Sequence, residues 1–216
     1  MRVPGPAALA WIPIPSCLLG MLAMPQAAFA QAPPPRQTSA DDYTRYELLA
    51  PESAKFRILY EVSATSPGAT HYCNSVRSGS TVSDIAVRDR MTGRELPFEI
   101  VRGAGAHPCG IRPSDPEHDY ISVRLPRPIV EDGEIRLLID KTYGDTASYS
   151  VRGDRLVFER SLGIDRNAVV LPPGWELVSV NYPSQVRTEP DGRVVLSFVN
   201  IGPAAVPYRI VARRLP

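Results

Sequence analysis

The chain has 216 residues, and its 24 basic side chains are nearly balanced by 23 acidic ones, which gives a net charge of +1 at neutral pH. No basic patch argues for nucleic acid as a partner, and no acidic block argues for a solvating tail. The length is sufficient for one sizeable hydrophobic core or for two small ones.

A secretory signal is predicted at the N-terminus, over residues 1–30. A positively charged start is followed by an apolar stretch, and Ala28-Phe29-Ala30 has the small residues that signal peptidase requires. Prolines interrupt the apolar stretch, so it is shorter than the ~20 residues of a membrane helix. A lipoprotein signal at Cys17 is disfavoured because a proline lies inside its recognition sequence. We therefore expect cleavage near Ala30, a periplasmic or secreted protein, and no stable membrane span in the mature chain.

The next segment, residues 31–42, is rich in proline and polar residues and cannot form a core. We expect a flexible or polyproline-like leader there. From about Tyr43 onward, short segments alternate between apolar and polar residues and are separated by turn residues. Between Phe56 and Val62, for example, every second side chain is apolar and would share one face of a strand at Lys55–Ala64.

Further alternating segments predict a chain made almost entirely of short strands. They lie at Thr81–Arg88, Glu95–Val101, Ile121–Leu125, Ile135–Ile139, Leu156–Phe158, Trp175–Val180, Gln185–Thr188, Arg193–Val199 and Pro207–Arg213. No long segment shows the period of an amphipathic helix. The pattern predicts an all-β fold, an antiparallel β-sandwich, either undivided or as two packed subdomains.

A boundary between two parts is expected near Tyr143, where the turn sequence Gly144-Asp145 follows. Residues 43–142 would form a β-sandwich domain that contains the cysteine pair. Residues 143–216 would form a second β-sheet region or a small immunoglobulin-like subdomain. The second part is short for an independent sandwich, so a core shared by both parts is the alternative.

Two cysteines, Cys73 and Cys109, remain once the signal is removed. In an oxidising compartment such a pair most simply forms a disulfide bond. Cys109 lies in a long irregular segment, Gly103–Asp119, and loops of this length in compact domains are often functional. We therefore expect a disulfide that ties this segment to the strand region around Cys73.

A metal site is the alternative interpretation of the same residues. His71 and His107 each precede a cysteine by two positions, and His118 follows in the long segment. On an extended chain, residues two apart project to the same side, so pairing of the cysteines would bring the histidines together. Reduced thiols with histidines suit zinc or copper(I), and the histidines alone could hold zinc or copper(II). The simpler interpretation is a structural disulfide and no cofactor; a redox-active pair lacks the expected Cys-x-x-Cys spacing.

Catalytic motifs are missing from the sequence. It has no His-Glu-x-x-His, no Gly-x-Ser-x-Gly and no glycine-rich phosphate loop. Carboxylates are present, but without a known separation they do not indicate a glycosidase. We expect no catalytic residue, and a protein that is not an enzyme is the favoured interpretation, with a carboxylate-based hydrolase as a further alternative.

One stretch resembles known proteins. Asn167–Ser179 holds an apolar strand that leads into Leu171-Pro172-Pro173-Gly174-Trp175, and a hairpin turn follows at Pro190–Val194. Together with a strand at Phe56–Glu61, it resembles a group of uncharacterised exported bacterial β-sandwich proteins, and more weakly the non-catalytic N-terminal β-domain of M1-type aminopeptidases. The zinc-binding His-Glu-x-x-His of those enzymes is missing here. The resemblance implies a stand-alone β-domain without peptidase activity.

Together these patterns predict an exported, non-catalytic binding or envelope-assembly module. Its partner would be an envelope protein, a peptide or a glycan, recognised at exposed sheet edges or at Gly103–Asp119. A periplasmic copper- or zinc-binding protein that uses His71, His107 and His118 is the alternative.

Overall fold

The structure, a computed structural model, describes Met1 and residues 33–216. The predicted secretory signal, including its cleavage site and Cys17, lies outside the described residues except for Met1. Residues 33–216 form one compact unit.

Fourteen strands account for most of the regular structure in the described residues. In chain order they are β1 (Ser39–Leu48), β2 (Lys55–Ala64), β3 (His71–Ser75), β4 (Thr81–Asp89), β5 (Phe98–Arg102), β6 (Asp119–Arg124), β7 (Ile135–Gly144), β8 (Tyr149–Arg152), β9 (Arg155–Leu162), β10 (Arg166–Val170), β11 (Trp175–Val180), β12 (Gln185–Thr188), β13 (Val194–Val199) and β14 (Val206–Arg214). Two short 3₁₀ helices, Pro51–Ser53 and Gly103–Cys109, interrupt them.

The strands form three sheets. A seven-stranded sheet has the order β12-β13-β10-β1-β2-β7-β4, a four-stranded sheet the order β11-β14-β9-β8, and a three-stranded sheet the order β3-β6-β5. All neighbouring strands in these sheets are antiparallel except β1 and β10, which run parallel. The predicted all-β sandwich is confirmed.

The core lies between the seven-stranded sheet and the two smaller sheets. Phe158 of β9 packs edge-on against Phe56 of β2, with ring centroids 5.5 Å apart. Farther along β2, the hydroxyl of Tyr60 lies 3.2 Å from that of Tyr72 in β3. The seven-stranded sheet is therefore one layer of the sandwich, and the two smaller sheets together form the other.

The predicted boundary at 142/143 lies inside β7, which continues to Gly144. The seven-stranded sheet takes β1, β2, β4 and β7 from one side of that boundary and β10, β12 and β13 from the other. One hydrophobic core includes residues from both parts. The two parts therefore share one core. They are also joined within the seven-stranded sheet, where β1 pairs with β2 on one side and with β10 on the other.

The predicted leader is shorter in the structure than residues 31–42. β1 begins at Ser39, so residues 39–42 belong to the sheet. Their polar side chains did not indicate a strand, but the edge of β2 provides backbone partners at Ser63 and Ala64. In the part of the chain that the structure describes, no helix has the length and apolar character needed to cross a membrane.

Candidate functional site

The predicted disulfide bond joins Cys73 in β3 to Cys109 at the end of the second 3₁₀ helix. Both cysteines are buried, and the Sγ atom of Cys109 lies 3.8 Å from the hydroxyl of Ser122 in β6. The bond therefore fastens the start of the long irregular segment to the three-stranded sheet.

The three predicted metal-ligating histidines do not form a metal-binding group. Across residues 33–216, no set of three or more His, Cys, Asp or Glu side chains is placed to hold an ion. His71 Nδ1 lies 3.0 Å from the hydroxyl of Thr70, and His118 Nε2 lies 2.6 Å from that of Ser75. His107 lies in the 3₁₀ helix, where residues two apart point in different directions, so it does not share a side with Cys109 as an extended chain would require.

Two sheet edges are exposed in the described residues, as a partner that adds a strand would require. β5 lies at the edge of the three-stranded sheet, and two of its apolar side chains, Phe98 and Ile100, are 38% and 52% exposed. β12, at the edge of the seven-stranded sheet, is exposed along its whole length.

A cleft with polar and charged walls opens where the three sheets meet. β1, β2 and β7 of the seven-stranded sheet, β3 of the three-stranded sheet and β9 of the four-stranded sheet all line it. Its lining includes the polar or charged side chains of Tyr60, Asn74, Arg77, Lys141, Tyr143 and Arg160. We call this site the three-sheet cleft.

Lys141 lies on the core face of β7, between Ile139 and Tyr143, and directly opposite Ile58 of β2. It is only 4% exposed. Its ammonium group donates hydrogen bonds to Asn74 Oδ1 at 2.5 Å and to the hydroxyl of Tyr143 at 3.2 Å. Burial, and then repulsion by the nearby Arg160, lower the pKa of Lys141 to about 7.

Arg160 of β9 is the second buried cation of the three-sheet cleft, and it has a partner. Its Nη1 atom donates to Asp145 Oδ2 at 3.0 Å and to the hydroxyl of Ser148 at 3.2 Å. Burial raises the pKa of the Asp145 carboxyl, but hydrogen bonds from Ser148 and Ser80 outweigh that effect, and the pKa lies below its usual value. Asp145 therefore stays ionised and compensates Arg160.

Tyrosine hydroxyls form the remaining polar wall. The hydroxyl of Tyr60 donates to Asp42 Oδ2 at 2.8 Å and lies next to that of Tyr72. The hydroxyl of Tyr143 accepts a hydrogen bond from the backbone N–H of Arg77 at 3.2 Å. Burial raises the pKa of both Tyr60 and Tyr143, so both remain neutral donors and acceptors at physiological pH.

Sequence reasoning missed this site, although a signal for it was present. The alternating segment Ile135–Ile139 continues through Lys141 to Tyr143 with the same period, which places a lysine among core residues. The chain has 24 basic residues, and only Lys55 and Lys141 are lysines. A charged residue at a core position of a strand is rare and is a reason to look for a function.

Comparisons with known proteins show the fold and nothing narrower. No protein-family model matches this sequence, and no curated protein matches it. The structure is similar to that of an M1 zinc metallopeptidase from Deinococcus radiodurans, with a TM-score of 0.50 and 11% identity, over 86% of this chain and 44% of that one. An aminopeptidase N family protein from Idiomarina loihiensis has a TM-score of 0.48 and 10% identity, over 80% of this chain and 29% of that one.

This chain spans less than half of the length of either of those proteins. At this identity the likeness to the Deinococcus radiodurans protein establishes a common β-sandwich architecture. The resemblance noted around Leu171–Trp175 falls where β10 of the seven-stranded sheet leads into β11 of the four-stranded sheet. Trp175 is buried there, under the guanidinium of Arg214.

Proposed function

We propose that this chain is an exported binding module of the cell envelope, without catalytic activity of its own, and that a peptide, glycan or protein partner inserts a group into the three-sheet cleft. The observation that carries the proposal is the convergence of charged and hydrogen-bonding side chains from three sheets on one cleft, next to apolar residues such as Ile58 and Leu162. A few placed polar groups in an apolar surround are typical of ligand sites.

The character of the cleft supports binding over hydrolysis. Its lining residues include no aspartate or glutamate, and Asp145, behind Arg160, is fully engaged by hydrogen bonds. A carboxylate-based hydrolase needs two free carboxyl groups that face each other across the substrate. The β-sandwich architecture shared with the M1 metallopeptidase from Deinococcus radiodurans fits a non-catalytic module.

Export is part of the proposal. The disulfide bond between Cys73 and Cys109 supports it, because such bonds persist in oxidising compartments. Intact-mass measurement of the protein isolated from the envelope fraction should give a chain that begins at Gln31.

The binding proposal is tested with two serine-to-tryptophan variants of that isolated protein. Ser161 lines the three-sheet cleft, whereas Ser179 is exposed on β11 outside it. The probes are a digest of cell-wall glycopeptides and a tryptic digest of periplasmic proteins. We expect amide chemical-shift changes that cluster at the cleft, that are lost in Ser161→Trp, and that persist in Ser179→Trp.

Two results would overturn the proposal. One is a set of shift changes that lies away from the cleft and is the same in both variants. The other is turnover of a probe by the isolated protein at a rate that Ser161→Trp abolishes, because the site would then be an active site.

A further inference from the structure

Lys141 and Arg160 are two buried cations of one cleft, and they differ in whether an acidic side chain lies beside them. Arg160 has a carboxylate, Asp145, at 3.0 Å. Lys141 forms no ion pair within 4 Å with any acidic side chain in residues 33–216, and its two protein partners, Asn74 and Tyr143, are neutral. A buried ammonium without a counter-charge is costly, and natural cores rarely keep one without a use.

We infer that the ligand of the three-sheet cleft carries an oxyanion and that this oxyanion binds the ammonium group of Lys141. The inference deepens the proposed function and rests on it, since it names the chemistry of the group that enters the cleft. The anion of the ligand supplies the counter-charge that the protein itself does not provide. The cost of removing that anion from water is compensated by a charge-assisted hydrogen bond to Lys141.

A carboxylate fits the cleft better than a phosphate. Of the two buried cations that line the cleft, only Lys141 lacks a counter-charge, because Asp145 already neutralises Arg160. The guanidinium of Arg77 lies exposed at the rim and donates to the backbone oxygen of Ser161, at 3.4 Å. A single interior charge matches a singly charged group, and a phosphate dianion would leave excess negative charge beside apolar walls.

The same geometry predicts that binding depends on pH. Lys141 shares the cleft with the titratable or charged side chains Tyr46, Tyr60, Arg77, His118, Tyr143 and Arg160. In the protein without a ligand, the pKa of Lys141 is about 7, and a bound oxyanion raises this pKa. Binding therefore takes up a proton above pH ~7, and the affinity falls about tenfold for each pH unit until the pKa of the complex is reached.

The experiment follows Lys141 directly, because the chain has only one other lysine. The exposed Lys55 is replaced in a Lys55→Arg variant, so that isotope-labelled lysine gives a single side-chain signal. Its pH titration is recorded alone and with propionate, inorganic phosphate or propionamide at tens of millimolar and constant ionic strength. The titration is repeated in His118→Asn, which removes the one histidine of the cleft.

We expect propionate to move the midpoint of the Lys141 titration upward by at least one pH unit, in both backgrounds, and propionamide to leave it unchanged. Lys141→Met should weaken propionate binding at least tenfold while the Lys55→Arg protein binds normally. If phosphate shifts the midpoint more than propionate does, the bound group is still an oxyanion, but it is a phosphate and not a carboxylate. If Lys141→Met does not fold, Lys141→Gln takes its place, and the titration of unaltered Lys141 decides independently.

The inference is overturned if neither anion shifts the midpoint, if propionamide acts as propionate does, or if Lys141→Met binds propionate as well as the unaltered protein. These outcomes are separate from failure of the proposed function. If envelope fragments still bind in the cleft and Ser161→Trp still abolishes that binding, the cleft remains a ligand site and only its charge chemistry is wrong.

Discussion

Lys141 carries a positive charge that burial makes unfavourable for the folded state. An unfolded chain exposes its ammonium group to water, where the pKa of a lysine is about 10.4. In the folded protein, burial and Arg160 lower that pKa to about 7. Between these values the unfolded state binds more protons than the folded state, so the contribution of Lys141 to stability becomes less unfavourable as the pH rises. Below pH ~7 the full penalty applies.

Replacing Lys141 with methionine should therefore stabilise the protein, because methionine fills a similar volume without a charge. We expect the free energy of unfolding to rise by about 1–4 kcal/mol near pH 6, the lower value allowing for the hydrogen bond that Asn74 loses. The gain should vanish near pH 10. Urea unfolding of both proteins across this pH range measures the difference; a gain that does not depend on pH would show that the ammonium is not desolvated.

At the scale of elements, the second 3₁₀ helix explains why the predicted disulfide formed and the predicted metal site did not. The extended-chain argument placed His107 and Cys109 on one side, but Gly103–Cys109 is helical and separates them. A left-handed glycine, Gly110, ends this helix with φ of 73°. A Cβ atom at that position would lie 1.8 Å from the backbone oxygen of Pro35.

Gly110 therefore serves both the turn and the close packing of residues 33–38 against the helix. Gly153 is a matched control, because its φ is also positive, at 64°, but no atom lies within 4 Å of a Cβ built there. Gly153→Ala should cost about 1 kcal/mol from backbone strain alone. Gly110→Ala should cost at least about 2 kcal/mol more, since the backbone at Pro35 must move. Thermal unfolding of the two variants compares them, and equal losses would contradict this packing.

The strand predictions succeeded where alternation was long and failed where it was short or polar. β2, β11 and β12 have the predicted limits. β1 was missed because its first residues are polar, and β3 and β8 were missed because their short segments show little alternation; the equally short β12 was recognised beside the Asp191-Gly192 hairpin signal. β7 was recognised only as far as Ile139, and the five residues beyond it contain Lys141. Because the predicted strand ended at Ile139, Lys141 was not recognised as a core residue, and the cleft around it was not predicted.

For the whole molecule, the seven-stranded sheet connects residues 33–216 into one compact unit. β1 lies between β2 and β10, so it joins strands from both sides of the predicted boundary. Arg45 of β1 forms two hydrogen bonds of 2.8 Å with Glu189, which precedes β13. The two side chains are only 16% and 15% exposed. This bidentate pair should therefore stabilise the connection between β1 and the β12–β13 hairpin more than an exposed ion pair would.

A cut in the exposed turn between Thr146 and Ala147 should leave two fragments that do not fold alone. Residues 33–146 would expose the edge of β1 and the core face that β9 covers, and residues 147–216 would keep β10 without β1. We expect narrow amide chemical-shift dispersion for each fragment and recovery of the native spectrum when they are mixed. A cooperative melt of either fragment by itself would instead mean two independent domains.

The sequence by itself determined the fold class, the positions of several strands and the pairing of Cys73 with Cys109, because alternation and a lone cysteine pair are local or compositional signals. Only the tertiary structure decided that β1 runs parallel to β10, that the histidines stay apart and that Lys141 meets Asn74 without a counter-charge. These facts depend on which sheets face each other. Contacts between residues far apart in the chain are set by packing of the whole core, and no local pattern records them.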